Sequence, residues 1–187
     1  MDHGPNARGR RWPSGSQRLS RVFELNGVAQ RGYEGLPFRL GVSQGPEVGP
    51  GSPWPWPSGV PTDLKIGHEP QGRPLFVDRP DLHLSLSHTA GAVAVAVGDR
   101  PLGVDVERVG RHDPRIVARL FSAREQAYLD ADPTLTEQRF AELWTRKEAH
   151  AKRSGAGGRE LVRGIDVLDA DATVTLLVDG FALSVCY

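Results

Sequence analysis

The sequence predicts an α+β protein in which strands come first, then helices, then strands again. Three observations carry this. Between Leu82 and Glu107 the apolar residues follow strand periodicity. After Glu107 that rhythm stops, and helix-start signals follow at Asp113-Pro114, Ser122 and Thr134. Finally, Asp179-Gly180 joins two apolar runs as a two-residue hairpin.

The first 61 residues read as a low-complexity, Gly- and Pro-rich N-terminal region, and 62–187 as the folded domain. Residues 1 to about 20 are rich in Gly, Pro, Ser and Arg, the composition of disorder. Residues 21–40 hold Val22, Phe23, Leu25, Val28, Tyr33, Leu36, Phe38 and Leu40 without clear periodicity, so short strands and a helical turn both remain open. From Gly41 to Pro61 glycine and proline dominate, which predicts an extended linker with polyproline character.

Within the domain, Asp63 to Ile66 reads as a short strand, and Gly72-Arg73-Pro74 as a turn before Leu75-Phe76-Val77. Leu82 to His88 alternates, as a half-buried strand does. Ala92 to Val97 is all small or β-branched and reads as a buried strand. Leu102 to Glu107 is a strand with Leu102, Val104 and Val106 on one face, Asp105 and Glu107 on the other. Asp113 caps a helix to about Leu120, and Pro114 fits its first position. Ser122 with Glu125 is a capping box opening a helix to about Leu129. Thr134 with Glu137 is read as another, opening the long helix that ends at Gly155. Strands are expected at Gly164–Asp169, Ala172–Val178 and Phe181–Cys186.

Composition narrows the function classes. Lys plus Arg and Asp plus Glu are both 23, so the formal charge is zero and gives no case for nucleic-acid or membrane attraction. A single cysteine, Cys186, excludes an internal disulfide and a cysteine-rich zinc site, and a cytoplasmic location is the natural expectation. No apolar run approaches the roughly 20 residues that span a bilayer. No secretory signal is read at the N-terminus.

The chemistry concentrates in two stretches. Asp105 and Glu107 present two carboxylates to the same side of a strand, where they repel unless a cation lies between them. Taken alone they read more simply as a solvated acidic strand end. On the long helix, Glu148 and Lys152 share a face with Trp144 one turn above, which by itself reads as a surface ion pair. If the helix packs on the strand, Glu148 supplies a third oxygen ligand for a hard ion such as Mg²⁺. Lys147, Lys152, His88 and Arg73 then stand nearby as phosphate partners. Carboxylates, Mg²⁺ and cations together are what phosphoryl chemistry needs.

Gly103-Val104-Asp105-Val106-Glu107, followed by Trp144-Thr145-Arg146-Lys147-Glu148-Ala149 with Lys152 and Gly155, resembles the two signature motifs of 4'-phosphopantetheinyl transferases. Leu84 to His88 resembles the family's Asn-Leu-Ser-His-Ser block, Gly72-Arg73-Pro74 its Gly-Lys-Pro turn, and Phe121 to Glu125 the segment between the signatures. The resemblance spans about 62–187 and points to the larger, pseudo-symmetric monomeric type. That implies two lobes, each a small antiparallel sheet packed on a helix. The first lobe is reduced here, since residues 1–61 show no clear copy of the N-terminal basic helix; Arg18 and Arg21 substitute only by charge.

The resemblance further implies Mg²⁺-dependent transfer of phosphopantetheine from coenzyme A to a serine of an apo acyl or peptidyl carrier protein. Asp105, Glu107 and Glu148 would hold Mg²⁺, with Mn²⁺ as a substitute. Glu148 would be the base, and Lys152 would stabilise the leaving phosphate. Arg73, Ser87, His88 and Lys147 would hold coenzyme A phosphates. Trp144 reads as packing, His150 as surface, and His68, His83 and His112 as structural or solvated. A non-catalytic coenzyme A- or carrier-binding relative and a Mg²⁺-dependent phosphoesterase are the competing readings. A serine hydrolase built on Ser87 and His88 is disfavoured because neighbours on a strand point to opposite faces.

Overall fold

The computed structural model describes the backbone of residues 18–25, 28–34 and 38–44, and residues 64–155, 162–163, 165–170 and 172–187. Among the described residues ten strands form two antiparallel sheets, and all three described α-helices fall between the eighth and ninth strands. This is the α+β class read from the sequence.

The larger sheet holds β1 (Arg18–Leu25), β2 (Val28–Glu34), β3 (Phe38–Gln44), β4 (Ile66–His68), β5 (Pro74–Phe76), β6 (His83–Thr89) and β7 (Ala92–Gly98) in the order β1-β2-β3-β7-β6-β5-β4. The smaller sheet holds β8 (Gly103–Arg108), β9 (Thr173–Val178) and β10 (Phe181–Cys186) in the order β8-β10-β9. Between β8 and β9 come α1 (Pro114–Leu120), α2 (Ala123–Asp130), a 3-10 turn (Pro133–Leu135) and α3 (Thr136–Ser154).

The sheets share an apolar seam. Leu40 and Val42 of β3 and Ala92, Ala94 and Ala96 of β7 pack against Val104 and Val106 of β8 and Phe181, Leu183 and Val185 of β10. The opposite face of β7, Val93, Val95 and Val97, packs with Phe76 and Leu84. Both faces of β7 are therefore buried, which explains its run of small and β-branched residues. A third cluster holds the helices together, with Leu120, Phe121, Leu129 and Leu143 at its centre.

Four expectations need correction. The linker read from Gly41 does not begin there, because β3 runs to Gln44 and pairs with β7 from Phe38↔Gly98 to Gln44↔Ala92. Paired strands likewise start at Arg18, inside the stretch read as disordered. The rest of that linker, 45–61, lies outside the described residues. No capping box opens α3: Asp132 takes the Thr134 amide and hydroxyl at 2.9 and 2.7 Å, a 3-10 turn follows, and α3 starts without a side-chain cap. Finally, the strand expected at Gly164–Asp169 is not one, since residues 165–170 have no regular structure. Side chains consume its backbone groups instead. Val167 N–H donates to Glu125 Oε1 at 2.9 Å, and Val167 C=O accepts from Arg146 at 3.0 Å.

The strand read at Asp63 to Ile66 falls later, as β4 from Ile66 to His68. The helix-end and hairpin signals fold as read. Asp113 caps α1 and Ser122 forms a complete capping box on α2. Gly155 ends α3 at φ 69°, and Asp179-Gly180 turn at φ 49° and 80°. No described helix is long and apolar enough to cross a membrane.

Candidate functional site

The site lies where α3 crosses β8. Gly103 makes that crossing possible: a Cβ there would stand 2.0 Å from the Ala149 carbonyl oxygen and 2.6 Å from the Arg153 nitrogen. Gly103, Asp105 and Glu107 alternate with the core residues Leu102, Val104 and Val106, so they share the face of β8 that looks at the helix. Beside them, Ser184 of β10 stands opposite Asp105 and bonds Thr145 of α3 at 2.8 Å and Thr175 of β9 at 3.0 Å. A polar layer therefore separates sheet from helix.

Asp105 is 5% exposed. Its Oδ1 accepts from Lys152 Nζ at 2.7 Å and from Ser87 Oγ at 2.7 Å. Its Oδ2 is buried and has no hydrogen-bond partner among the described residues. Lys152 also donates to the Val104 carbonyl at 3.0 Å, so its ammonium is held between two oxygens of β8. Burial pushes the Asp105 carboxyl above the usual carboxylate range, against the opposing pull of Lys152 and Ser87. Glu107 is half-buried and accepts from Thr89 Oγ1 at 3.2 Å. Its carboxyl is also pushed up, first by burial and then by the Asp105 charge. These are the shifts expected of two carboxylates sharing one poorly hydrated face.

Asp105, Glu107 and Lys152 are thus brought together. Arg73, on the β4–β5 turn, stands at the C-terminal end of α3: Nη1 is 3.0 Å from where a Gly155 Cβ would be, and Nη2 is buried with no hydrogen-bond partner among the described residues. Glu148 precedes Lys152 by four positions on α3 and is partly exposed. Among the described residues no three Asp, Glu, His or Cys side chains are gathered closely enough to hold a metal ion.

Two of the expected phosphate partners point elsewhere. Lys147 is fully buried, ion-paired with the equally buried Glu125 at 2.9 Å. It also donates to the carbonyls of Val162 and Ile165. It is a pin for the loop after α3, on the helix face away from Lys152. Ser87 is buried and turned to Asp105, while its neighbour His88 is exposed on the opposite face of β6. The two therefore do not act on one phosphate together.

Other readings are refined. Trp144 belongs to a stack with Phe140, at 6.2 Å between ring centroids, and packs against the helical core. His150 is not a surface residue: it is half-buried, with Nε2 2.9 Å from Thr173 Oγ1 and Nδ1 3.4 Å from Cys186 Sγ. Sequence reasoning missed Ser85, Thr89, Thr145 and Ser184. The signal for the first two was present, because Ser85, Ser87 and Thr89 recur with period two on one strand face.

With this geometry in place, comparison with known proteins is specific. Residues 101–185 match the model of the 4'-phosphopantetheinyl transferase superfamily. The 4'-phosphopantetheinyl transferase psf-1 of Bacillus pumilus is 38% identical over 90 residues, 48% of this chain and 39% of that protein. The 4'-phosphopantetheinyl transferase Sfp of Bacillus subtilis (strain 168) is 32% identical over 97 residues, 51% of this chain and 43% of its own length. The 4'-phosphopantetheinyl transferase AcpT of Salmonella typhi is 30% identical over 121 residues, 62% of this chain and 63% of the relative. The chain spans less than half the length of the Bacillus relatives it matches.

Proposed function

We propose that this chain transfers the 4'-phosphopantetheine group of coenzyme A to a serine of an apo acyl or peptidyl carrier protein, releasing adenosine 3',5'-bisphosphate. The observation that carries the reading is Asp105: a buried carboxylate, held on one oxygen by Lys152 and Ser87, with its other oxygen unpartnered. It lies within the stretch that matches the transferase superfamily.

An orphaned carboxylate oxygen beside a second carboxylate fits a hard divalent cation. Asp105 and Glu107 would hold Mg²⁺ or Mn²⁺, with Glu148 having to move in from α3 to become a third ligand, and the ion when bound would neutralise the diphosphate of coenzyme A. The remaining work falls to the chain's own groups. Lys152, already at the β8 edge, stabilises the charge that develops on the leaving 5'-phosphate oxygen. Arg73 offers an unpartnered guanidinium nitrogen to a phosphate, and exposed His88 a second contact. The carrier serine Oγ attacks the phosphorus next to pantetheine. The bond from that phosphorus to the bridging oxygen breaks, and the electron pair leaves on adenosine 3',5'-bisphosphate. Glu148 takes the serine proton directly or through water. A carboxylate is a weak base for a serine hydroxyl, so alignment and charge neutralisation carry most of the rate.

The test is mass spectrometry of apo carriers from fatty-acid, polyketide and peptide synthases, incubated with the protein, coenzyme A and Mg²⁺. The expected result is a gain of one phosphopantetheine on at least one carrier, abolished by Glu148→Gln with the circular-dichroism spectrum unchanged. No transfer to any carrier by the folded protein overturns the proposal. One second reading is kept, a non-catalytic coenzyme A- or carrier-binding protein. Calorimetric binding of coenzyme A without turnover would establish it.

A further inference from the structure

We infer that Ser87 and Thr89 are positioning residues for the two carboxylates of β8, forming with Ser85 a ladder of hydroxyls in place of a paired strand. The inference rests on the proposed reading of Asp105 and Glu107 as cation ligands.

Strand β8 is the end of its sheet and pairs through one edge with β10. Its other edge faces β6 of the larger sheet, and hydroxyls meet it there. Val104 N–H donates to Ser85 Oγ at 2.9 Å, and Val106 N–H to Ser87 Oγ at 3.3 Å. Buried backbone donors need such partners, and a hydroxyl can accept and donate at once. Ser87 does both, because its own proton goes to Asp105 Oδ1 at 2.7 Å. One step on, Thr89 Oγ1 donates to Glu107 Oε2 at 3.2 Å.

The three rungs divide the labour. Among the described residues Ser85 meets only the backbone, so its role is to join the sheets. Ser87 joins them and also holds a carboxylate. The side-chain bond of Thr89 goes to a carboxylate and not to β8 backbone, so the seam alone does not account for it. A carboxylate anchored through one oxygen keeps a fixed orientation and leaves the other oxygen for a cation. That arrangement is seen at Asp105, where Oδ1 carries both bonds and Oδ2 none. Hydroxyl partners of this kind tune ligand orientation and affinity at metal sites.

The experiment compares wild type, Thr89→Val and Thr89→Ser in the full chain. Mn²⁺ binding is read by calorimetry without coenzyme A, and Mg²⁺-dependent transfer is read alongside. Thr89→Val, which keeps the shape and loses the hydroxyl, should weaken Mn²⁺ binding about tenfold. It should raise the Mg²⁺ concentration for half-maximal transfer by the same factor and leave the metal-free melting temperature near that of wild type. Thr89→Ser should restore Mn²⁺ affinity to within about twofold, because the donor returns. Wild type that neither binds Mn²⁺ nor transfers overturns the functional reading and this inference with it. Wild type that binds Mn²⁺, with Thr89→Val binding equally well or Thr89→Ser failing to restore binding, overturns the ladder alone.

Discussion

Lys147 and Lys152 show how far five positions on one helix can diverge. Both belong to the motif that suggested phosphate chemistry, yet Lys147 is 0% exposed and pairs with Glu125, while Lys152 is 31% exposed at Asp105. Removing one partner of a buried pair leaves the other charge uncompensated. Lys147→Met should therefore cost about 3–5 kcal/mol of stability, measured by denaturant unfolding. His150 supports a pH prediction. Burial, with the charges of Arg153, Arg146 and Lys147, holds its imidazole below the ordinary histidine range. The unfolded chain then binds the proton more tightly than the folded one. The associated stability is present above the unfolded value of about 6.5 and lost as pH falls below it. Thermal melts of His150→Asn between pH 5 and 7 should show a shallower loss of stability on acidification than wild type.

At the scale of elements, the β8–α3 crossing depends on a residue with no side chain. A methyl at Gly103 cannot fit 2.0 Å from the Ala149 carbonyl oxygen, so helix and strand must separate. Gly103→Ala should destabilise by about 3 kcal/mol or more, and calorimetric melting checks this. Capping and turn chemistry was legible in the sequence because it is local: Asp113, Ser122, Gly155 and Asp179-Gly180 all act within a few residues of themselves. The start of α3 was misread because Asp132, two residues before Thr134, competes for the same amide and hydroxyl. The segment 165–170 was misread as a strand for a different reason. Val167 is buried and Ile165 and Leu168 partly so, but the side chains of Glu125, Lys147 and Arg146 bind its backbone in place of a neighbouring strand.

For the whole molecule, the N-terminal strands belong to the sheet that supports the site. Leu40 is 2% exposed and lies in the seam with Val104 and Val106. If β3 is integral, Leu40→Ala should cost about 3 kcal/mol in a single cooperative unfolding transition. A loss under about 0.5 kcal/mol would mark β3 as peripheral.

The sequence by itself determined the α+β order, most helix ends, the alternation of β8, and the pairing of two acidic positions with a charged helix. Periodicity and capping are short-range, so one chain suffices to read them. Only the tertiary structure decided which charges meet. It sent Lys147 inward to Glu125 and Lys152 to Asp105, turned Ser87 to a carboxylate, and set Thr89 against Glu107. Those contacts join residues 18 to 47 positions apart on different elements. Their partners follow from the crossing angle and depth of packed surfaces, which no local pattern encodes.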